Sequence, residues 1–163
     1  MYNKEALARH EAGHAVAHIL TKTPFDYVTI EANDDNYGHV QPNCGPTIQL
    51  WLNLRSRQRE ISALARDTVI TLWAGDVAEE IFLGHPPSIE SATDIADIEE
   101  IAIARSTQPQ VWAQRLKYRT RKMLLNPVAW HYITTVALAL LEKQKLTDRE
   151  IYALLKLDYP WED

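Results

Sequence analysis

Apolar residues recur at helical spacing along most of this chain, so the pattern predicts a mainly helical fold. The first helix is expected from Asn3 to Thr21, with Asn3 capping its N-terminus and Pro24 just after its end. Its buried stripe is predicted to consist of Ala6, Leu7, Ala15, Val16, Ile19 and Leu20.

Further helices are predicted along the rest of the chain. A long one is expected from about Ile48 to Phe82, where Gly84 and two prolines follow it. The next begins at Ser91, because Ser91 and Asp94 have the spacing of a capping box. Three more helices are expected after that. The first runs from Pro109 to about Leu125, and the last follows a second capping box formed by Thr147 and Glu150. The middle one contains the apolar positions Ile133, Val136, Ala137, Leu140 and Leu141.

Aromatic and β-branched residues predict a short β-hairpin after the first helix. Tyr27–Ile30 is its first strand, the turn lies at Asn33–Asn36, and Tyr37–Val40 is the return strand. The predicted fold class is therefore mainly α, of the α+β type, in a single domain over residues 1–163. The first helix and the hairpin occupy residues 1–45, and the remainder, 46–163, is helical.

Composition narrows the functional classes without choosing one. The 163 residues are 46% hydrophobic and 24% charged, with a net charge of -5, which argues against a nucleic-acid partner. One cysteine, Cys44, excludes an intrachain disulfide and fits a reducing compartment. With no apolar run of membrane-spanning length and no signal-peptide core, we expect a cytoplasmic protein with no membrane segment, and the initial Met1 favours a free-standing gene product.

The first helix carries the motif His-Glu-x-x-His, formed by His10, Glu11 and His14. The two histidines lie one turn apart on the same helix face, where both can ligate one Zn²⁺ ion. Glu11 can then accept a proton from a water that attacks a carbonyl group. Gly13 costs a helix up to ~1 kcal/mol relative to Ala, which a close approach of another backbone or of substrate would explain.

A third metal ligand has to come from elsewhere in the chain. His18 is excluded, because it lies about 12 Å along the helix axis from His10 at ~1.5 Å per residue. The residue types alone leave several candidates open: His39, Cys44, Asp76, Glu79, Glu80, Asp94, Asp97, Glu99 and Glu100.

Four stretches, in order, resemble the peptidase domain of the FtsH-type ATP-dependent zinc proteases. They are "HEAGHAV" from His10, "DYVTI" with "YGHV" in the hairpin, "WAGDVAEEIFLG" from Trp73 and "SATDIADIEEIA" from Ser91. The C-terminal "ALALLEKQKLTDREIYALL" also resembles the last helices of that family.

The resemblance implies a zinc peptidase in which Asp94 is the third ligand beside His10 and His14, with Asp97 as the alternative. Glu11 would be the general base, and Glu79 or Glu80 would support the site by orienting a ligand histidine, the alternative being a solvated helix face or an ion pair. We expect the strand formed by Tyr37, Gly38, His39 and Val40 to bind an extended substrate by adding a strand pair, with a purely structural hairpin as the alternative.

The chain also departs from the family. Asp76 stands where the family usually has Arg, and Glu90 and Ser91 replace Gly-Ala before the aspartate. No phosphate-binding Gly-x-x-x-x-Gly-Lys-Ser/Thr loop is present, so this chain has no ATPase motor of its own. We therefore expect unfolded or flexible polypeptides as substrates, with a separate ATPase or further copies of the chain as candidate partners.

Three functional hypotheses follow. The first is a zinc metalloendopeptidase. The second is a catalytically silent zinc- or peptide-binding adaptor of the same fold, which the presence of Glu11 disfavours because a structural site needs no base. The third is a nuclease or another hydrolase that uses the same metal, which the acidic balance and the resemblance disfavour.

Overall fold

The computed structural model describes residues 3–31, 39–42, 58–87 and 91–161. The fold is mainly helical with a small antiparallel sheet near the N-terminus, as predicted. In order, the described elements are α1 (Lys4–Thr21), β1 (Phe25–Thr29), β2 (His39–Pro42), α2 (Gln58–Leu83), α3 (Ala92–Arg105), α4 (Pro109–Leu124), α5 (Pro127–Lys143), β3 (Lys145–Thr147) and α6 (Asp148–Leu154).

Helix α1 lies in the middle of the molecule, packed mainly against α2 and α5. The Asn3 side chain caps it by accepting from the amides of Glu5 and Ala6, which confirms the predicted start. The predicted stripe is buried except at its end, where Ile19 is half-buried and Leu20 is 41% exposed. Burial is also wider than a stripe, because the polar residues of the histidine motif are buried as well.

A glycine allows α1 and α2 to approach closely. A Cβ atom on Gly13 would lie 2.5 Å from the Ala74 carbonyl oxygen and 2.7 Å from the Ala78 Cβ atom. This is the backbone approach that the sequence suggested for Gly13, so its helix-propensity cost is offset by tighter packing of the two helices.

Helix α2 ends close to the predicted point, at Leu83, and Gly84 follows with a positive φ of 76°. The predicted start at Ile48 lies outside the described residues, which contain this helix from Gln58 onward. The indole of Trp73 donates to the Ala113 carbonyl (3.2 Å), which ties α2 to α4.

Helix α3 begins at the predicted cap, but the capping box is only half formed. The Ser91 hydroxyl accepts from the Asp94 amide at 3.4 Å. The Ser91 amide donates to Asp76 on α2, also at 3.4 Å, rather than to the Asp94 carboxylate. By contrast, the second predicted box, Thr147 with Glu150 at the start of α6, is complete.

The sheet has three strands in the order β2-β1-β3, all antiparallel neighbours. The predicted hairpin is present, with Val28 opposite Val40. Strand β3 was not predicted, because three residues are too short to give a strand signal and its partner β1 is distant in sequence. The predicted turn, 33–36, lies outside the described residues.

One apolar core joins the helices and the sheet. Its largest fully buried apolar side chains are Ile98, Leu124, Ile133, Leu140, Leu146, Ile151, Val16, Val28, Val69, Val77 and Val136. Within the described ranges, no single helix has the length and apolarity to cross a membrane; α4 and α5 reach that limit only when taken together, and they are bent by 83°.

Candidate metal centre

Two helices bring three metal-ligating side chains together. His10 and His14 lie one turn apart on α1, and their Nε2 atoms are 3.1 Å apart. Asp94, in the first turn of α3, places its Oδ2 atom 3.4 Å from His14 Nε2 and 3.9 Å from His10 Nε2. All three offer ligand atoms within 4.8 Å of one another.

A backbone carbonyl fixes the orientation of the His14 ring. The Thr71 carbonyl oxygen, on α2, lies 2.8 Å from His14 Nδ1. A carbonyl can only accept, so Nδ1 carries the proton and donates it. In the neutral ring the lone pair is therefore on Nε2, the nitrogen that faces His10 and Asp94.

Two buried carboxylates face the other nitrogen of His10. Its Nδ1 atom lies 3.3 Å from Glu79 Oε2 and 3.6 Å from Asp76 Oδ1. Neither contact has hydrogen-bond geometry, and Glu79 Oε2 has no hydrogen bond from another residue. The two negative charges favour a proton on Nδ1, which again leaves the Nε2 lone pair directed into the site.

The charges of the cluster are coupled. Burial by itself would lower the pKa of His14, but the hydrogen bond and charge of Asp94, with the charge of Glu11, raise it to about 9. Burial opposes ionisation of Asp94 too, yet His14 and the Ser91 hydroxyl hold the pKa of Asp94 below its ordinary value. A metal ion therefore competes with the second proton of His14 for the Nε2 atom.

Glu11 is buried beside the histidines, with 4% of its surface exposed. Burial raises the pKa of Glu11, although the neighbouring charges of His14 and His10 lower it in part. Its Oε2 atom has no hydrogen-bond partner. A buried carboxylate with a free oxygen and a raised pKa is suited to accept a proton.

The space between the histidines depends on Gly75 of α2. A Cβ atom at this position would overlap the Nε2 atoms of both His10 and His14. With glycine there, the helix backbone passes close to the two nitrogens without filling the room in front of them.

The remaining sequence candidates lie elsewhere. Glu80 forms an ion pair with Arg121 of α4 at 2.8 Å, whereas Glu79 lies beside His10. His18 bonds the Thr23 hydroxyl, and burial together with the charge of His14 lowers its pKa to about 4. Asp97, Glu99 and Glu100 lie on α3 and do not belong to the group of three possible ligands. The backbone of His39 and Val40 lies in β2. Tyr37, Gly38 and Cys44 lie outside the described residues.

Sequence reasoning did not predict how three residues contribute to the site. Asp76 was considered a ligand candidate and a departure from the family pattern, but in the structure it faces His10 from behind the ligand nitrogen. Gly75 and Thr71 act through backbone proximity and a carbonyl group, which side-chain patterns do not reveal. The one available signal was Gly75 itself, a glycine inside a strongly helical segment.

Comparison with known proteins assigns no chemistry to this geometry: no family model matches the chain, and no curated protein matches it. The side chains themselves carry the argument. Two imidazole nitrogens and one carboxylate oxygen lie close enough together to hold a metal ion. The Thr71 carbonyl orients the His14 ring, and two carboxylates lie beside Nδ1 of His10.

Proposed function

We propose that this protein is a zinc metallopeptidase that hydrolyses peptide bonds in unfolded or flexible polypeptides. The observation that carries the proposal is the convergence of His10, His14 and Asp94 from two helices, with Glu11 buried next to them. The motif resemblance to the FtsH-type peptidase domain led to the same four residues.

The donor set fits zinc. Two ligands of a tetrahedral zinc ion at about 2.0–2.1 Å lie roughly 3.4 Å apart, and the three ligand-atom separations here are 3.1, 3.4 and 3.9 Å. Three protein ligands leave one position for water or substrate, the arrangement typical of catalytic rather than structural zinc sites.

Zinc, when bound, polarises the scissile carbonyl and lowers the pKa of water to about 7. The residues of the chain supply the remaining parts. The Thr71 carbonyl holds His14 with Nε2 towards the site, and the carboxylates of Asp76 and Glu79 lie beside Nδ1 of His10, so both rings already face the site before substrate binds. Glu11 takes the proton of the attacking water, and its raised pKa suits it to return that proton to the leaving amine.

The sheet offers a place for an extended substrate. Strand β2 pairs with β1 on one side and lies at the edge of the sheet in the described part of the chain. An extended peptide can add to such an edge through main-chain hydrogen bonds, which is independent of side-chain sequence and therefore suits unfolded substrates.

The decisive test compares wild type with Glu11→Gln for zinc content and for cleavage of casein and a quenched fluorescent peptide. We expect equal zinc content and a loss of cleavage of at least about 10²-fold, since general base catalysis typically contributes 10²–10⁴-fold. The matched control is Glu100→Gln, an exposed residue of α3, which should cleave like wild type.

Two results would contradict the proposal. If the purified protein binds no zinc, the metal assignment fails. If it binds zinc but wild type and Glu11→Gln are equally inactive on every substrate tested, a zinc-binding adaptor is the better description.

A further inference from the structure

Asp76 is a buried carboxylate that contacts both ligand-bearing helices. Only 2% of its surface is exposed. Its Oδ1 atom lies 3.6 Å from His10 Nδ1, on α1, and accepts from the Ser91 amide at the N-cap of α3. Its Oδ2 atom is buried without a hydrogen bond. Burying a charged group with so few partners costs free energy, so a contribution elsewhere has to offset it.

We propose that Asp76 is a positioning residue that sets the distance between the histidines of α1 and the Asp94 ligand of α3. The inference rests on the proposed zinc site and adds a residue that is not one of its ligands. Asp76 acts on the metal through two other groups, the His10 ring and the Ser91 amide, and does not coordinate it.

The half-formed capping box explains why α3 needs this carboxylate. In a complete box, the acidic residue of the first turn turns back to accept from the N-cap amide. Asp94 occupies that position, but its carboxylate points to His14 at 3.4 Å instead. Asp76 takes over the Ser91 amide, so the α3 N-terminus stays satisfied while Asp94 remains free to bind metal.

Glu79 provides a natural comparison on the same helix. It contacts the same nitrogen of His10 at 3.3 Å, nearly one turn further along α2. The bond to Ser91, however, belongs to Asp76. Glu79 should therefore influence zinc binding through His10 alone, whereas Asp76 should influence it through His10 and Asp94 together.

A double-mutant cycle separates these two modes. Zinc affinity is measured by chelator competition for Asp76→Ala, Glu79→Ala and Asp94→Ala, and for each of the first two combined with the third. We expect Asp76→Ala to weaken zinc binding by about 10- to 100-fold in the wild-type background, the usual range for residues that orient ligands. In the Asp94→Ala background, Asp76→Ala should lower zinc affinity only as much as Glu79→Ala does. Glu79→Ala should lower zinc affinity by a similar factor whether or not Asp94 is present.

The cobalt-substituted protein gives a readout that loss of stability does not move. The visible d–d spectrum of bound Co²⁺ reports ligand number and geometry. We expect this spectrum to change in Asp76→Ala in the same way as in Asp94→Ala. In Asp76→Asn, whose amide oxygen can still accept from the Ser91 amide, the spectrum should be closer to that of wild type. Circular dichroism checks folding, and Asp76→Ser, too short to reach Ser91, replaces Asp76→Ala in the cycle if that variant does not fold.

Each outcome decides the inference. An Asp76→Ala effect of the same size with and without Asp94, or a wild-type cobalt spectrum in this variant, overturns the positioning role while leaving the zinc site intact. Absence of zinc binding by the wild-type protein would remove the proposed function, and this inference with it. If wild type binds zinc but the cycle shows no coupling between Asp76 and Asp94, this inference fails and the proposed function is unaffected.

Discussion

Gly75 is the residue whose size matters most directly to the candidate metal centre. Its missing side chain leaves the room in which the Nε2 atoms of His10 and His14 face Asp94. In helix α2, glycine carries a propensity cost of roughly 0.8–1 kcal/mol relative to Ala. That cost is understandable only from the spatial neighbours of Gly75, which lie on another helix.

Substituting Gly75→Ala should impair metal binding through steric overlap with both imidazoles. We expect zinc affinity to fall by at least about 10- to 100-fold, comparable to the loss of an orienting group. Isothermal titration with a competing chelator measures this change.

The control for this prediction is Gly84→Ala. Gly84 has a positive φ and open space around it, so alanine there should cost about 1–2 kcal/mol of stability through the backbone alone. Its zinc affinity should equal that of wild type. Wild-type affinity in Gly75→Ala would show that the histidines can move aside without cost.

At the scale of elements, the crossing of α1 and α2 defines the site. Helix α1 supplies His10, His14 and Glu11, while α2 supplies the Thr71 carbonyl and the carboxylates of Asp76 and Glu79. The two helices can be this close because Gly13 lies against the Ala74 carbonyl. The orientation of the ligand rings therefore depends on helix packing as well as on the motif.

Gly13→Ala should separate the two helices and destabilise the protein. The added methyl group would overlap backbone atoms that cannot rotate away, so overpacking of about 1–3 kcal/mol should exceed the gain in helix propensity of up to ~1 kcal/mol. Urea unfolding measures the change. For comparison, Glu100→Ala on the exposed face of α3 should stay within about 0.5 kcal/mol of wild type. A Gly13→Ala protein as stable as wild type would mean that the close contact is easily relaxed.

Over the whole molecule, a bound metal would connect the N-terminal helix to α3. His10 and His14 belong to the central helix, and Asp94 belongs to a helix that follows the long α2 segment. A ligand that binds the native state but not the unfolded chain stabilises the native state by RT ln(1 + L/Kd), where L is the free ligand concentration. Metal binding is therefore expected to raise the thermal stability of the entire domain.

Removing metal with a chelator should lower the melting temperature reversibly. At a zinc concentration 100-fold above Kd the stabilisation is about 2.7 kcal/mol, which corresponds to roughly 5–10 °C for a domain of this size. Differential scanning calorimetry of the chelated and zinc-loaded protein measures the shift. The His14→Ala variant should show almost no shift, and an equal shift in that variant would place the stabilising zinc elsewhere.

The sequence by itself determined the local features of this protein. Helical periodicity, the Asn3 cap and the Thr147–Glu150 box act within a few residues, so they could be read directly, and the spacing of His10 and His14 follows from one helical turn. The hairpin was likewise visible as a local pattern of β-branched residues around a turn.

Tertiary structure decided the rest, because the deciding contacts join residues that are distant in sequence. Residue types could not choose Asp94 among several acids, since any of them could have reached the histidines in another fold; only the resemblance to a known family singled it out, and the packing of α3 brings it to the histidines. The choice of Glu79 rather than Glu80 beside His10, the redirected Ser91 amide and the pairing of β3 with β1 all depend on how helices and strands pack. Local propensity encodes which elements form, whereas packing determines which of their side chains meet.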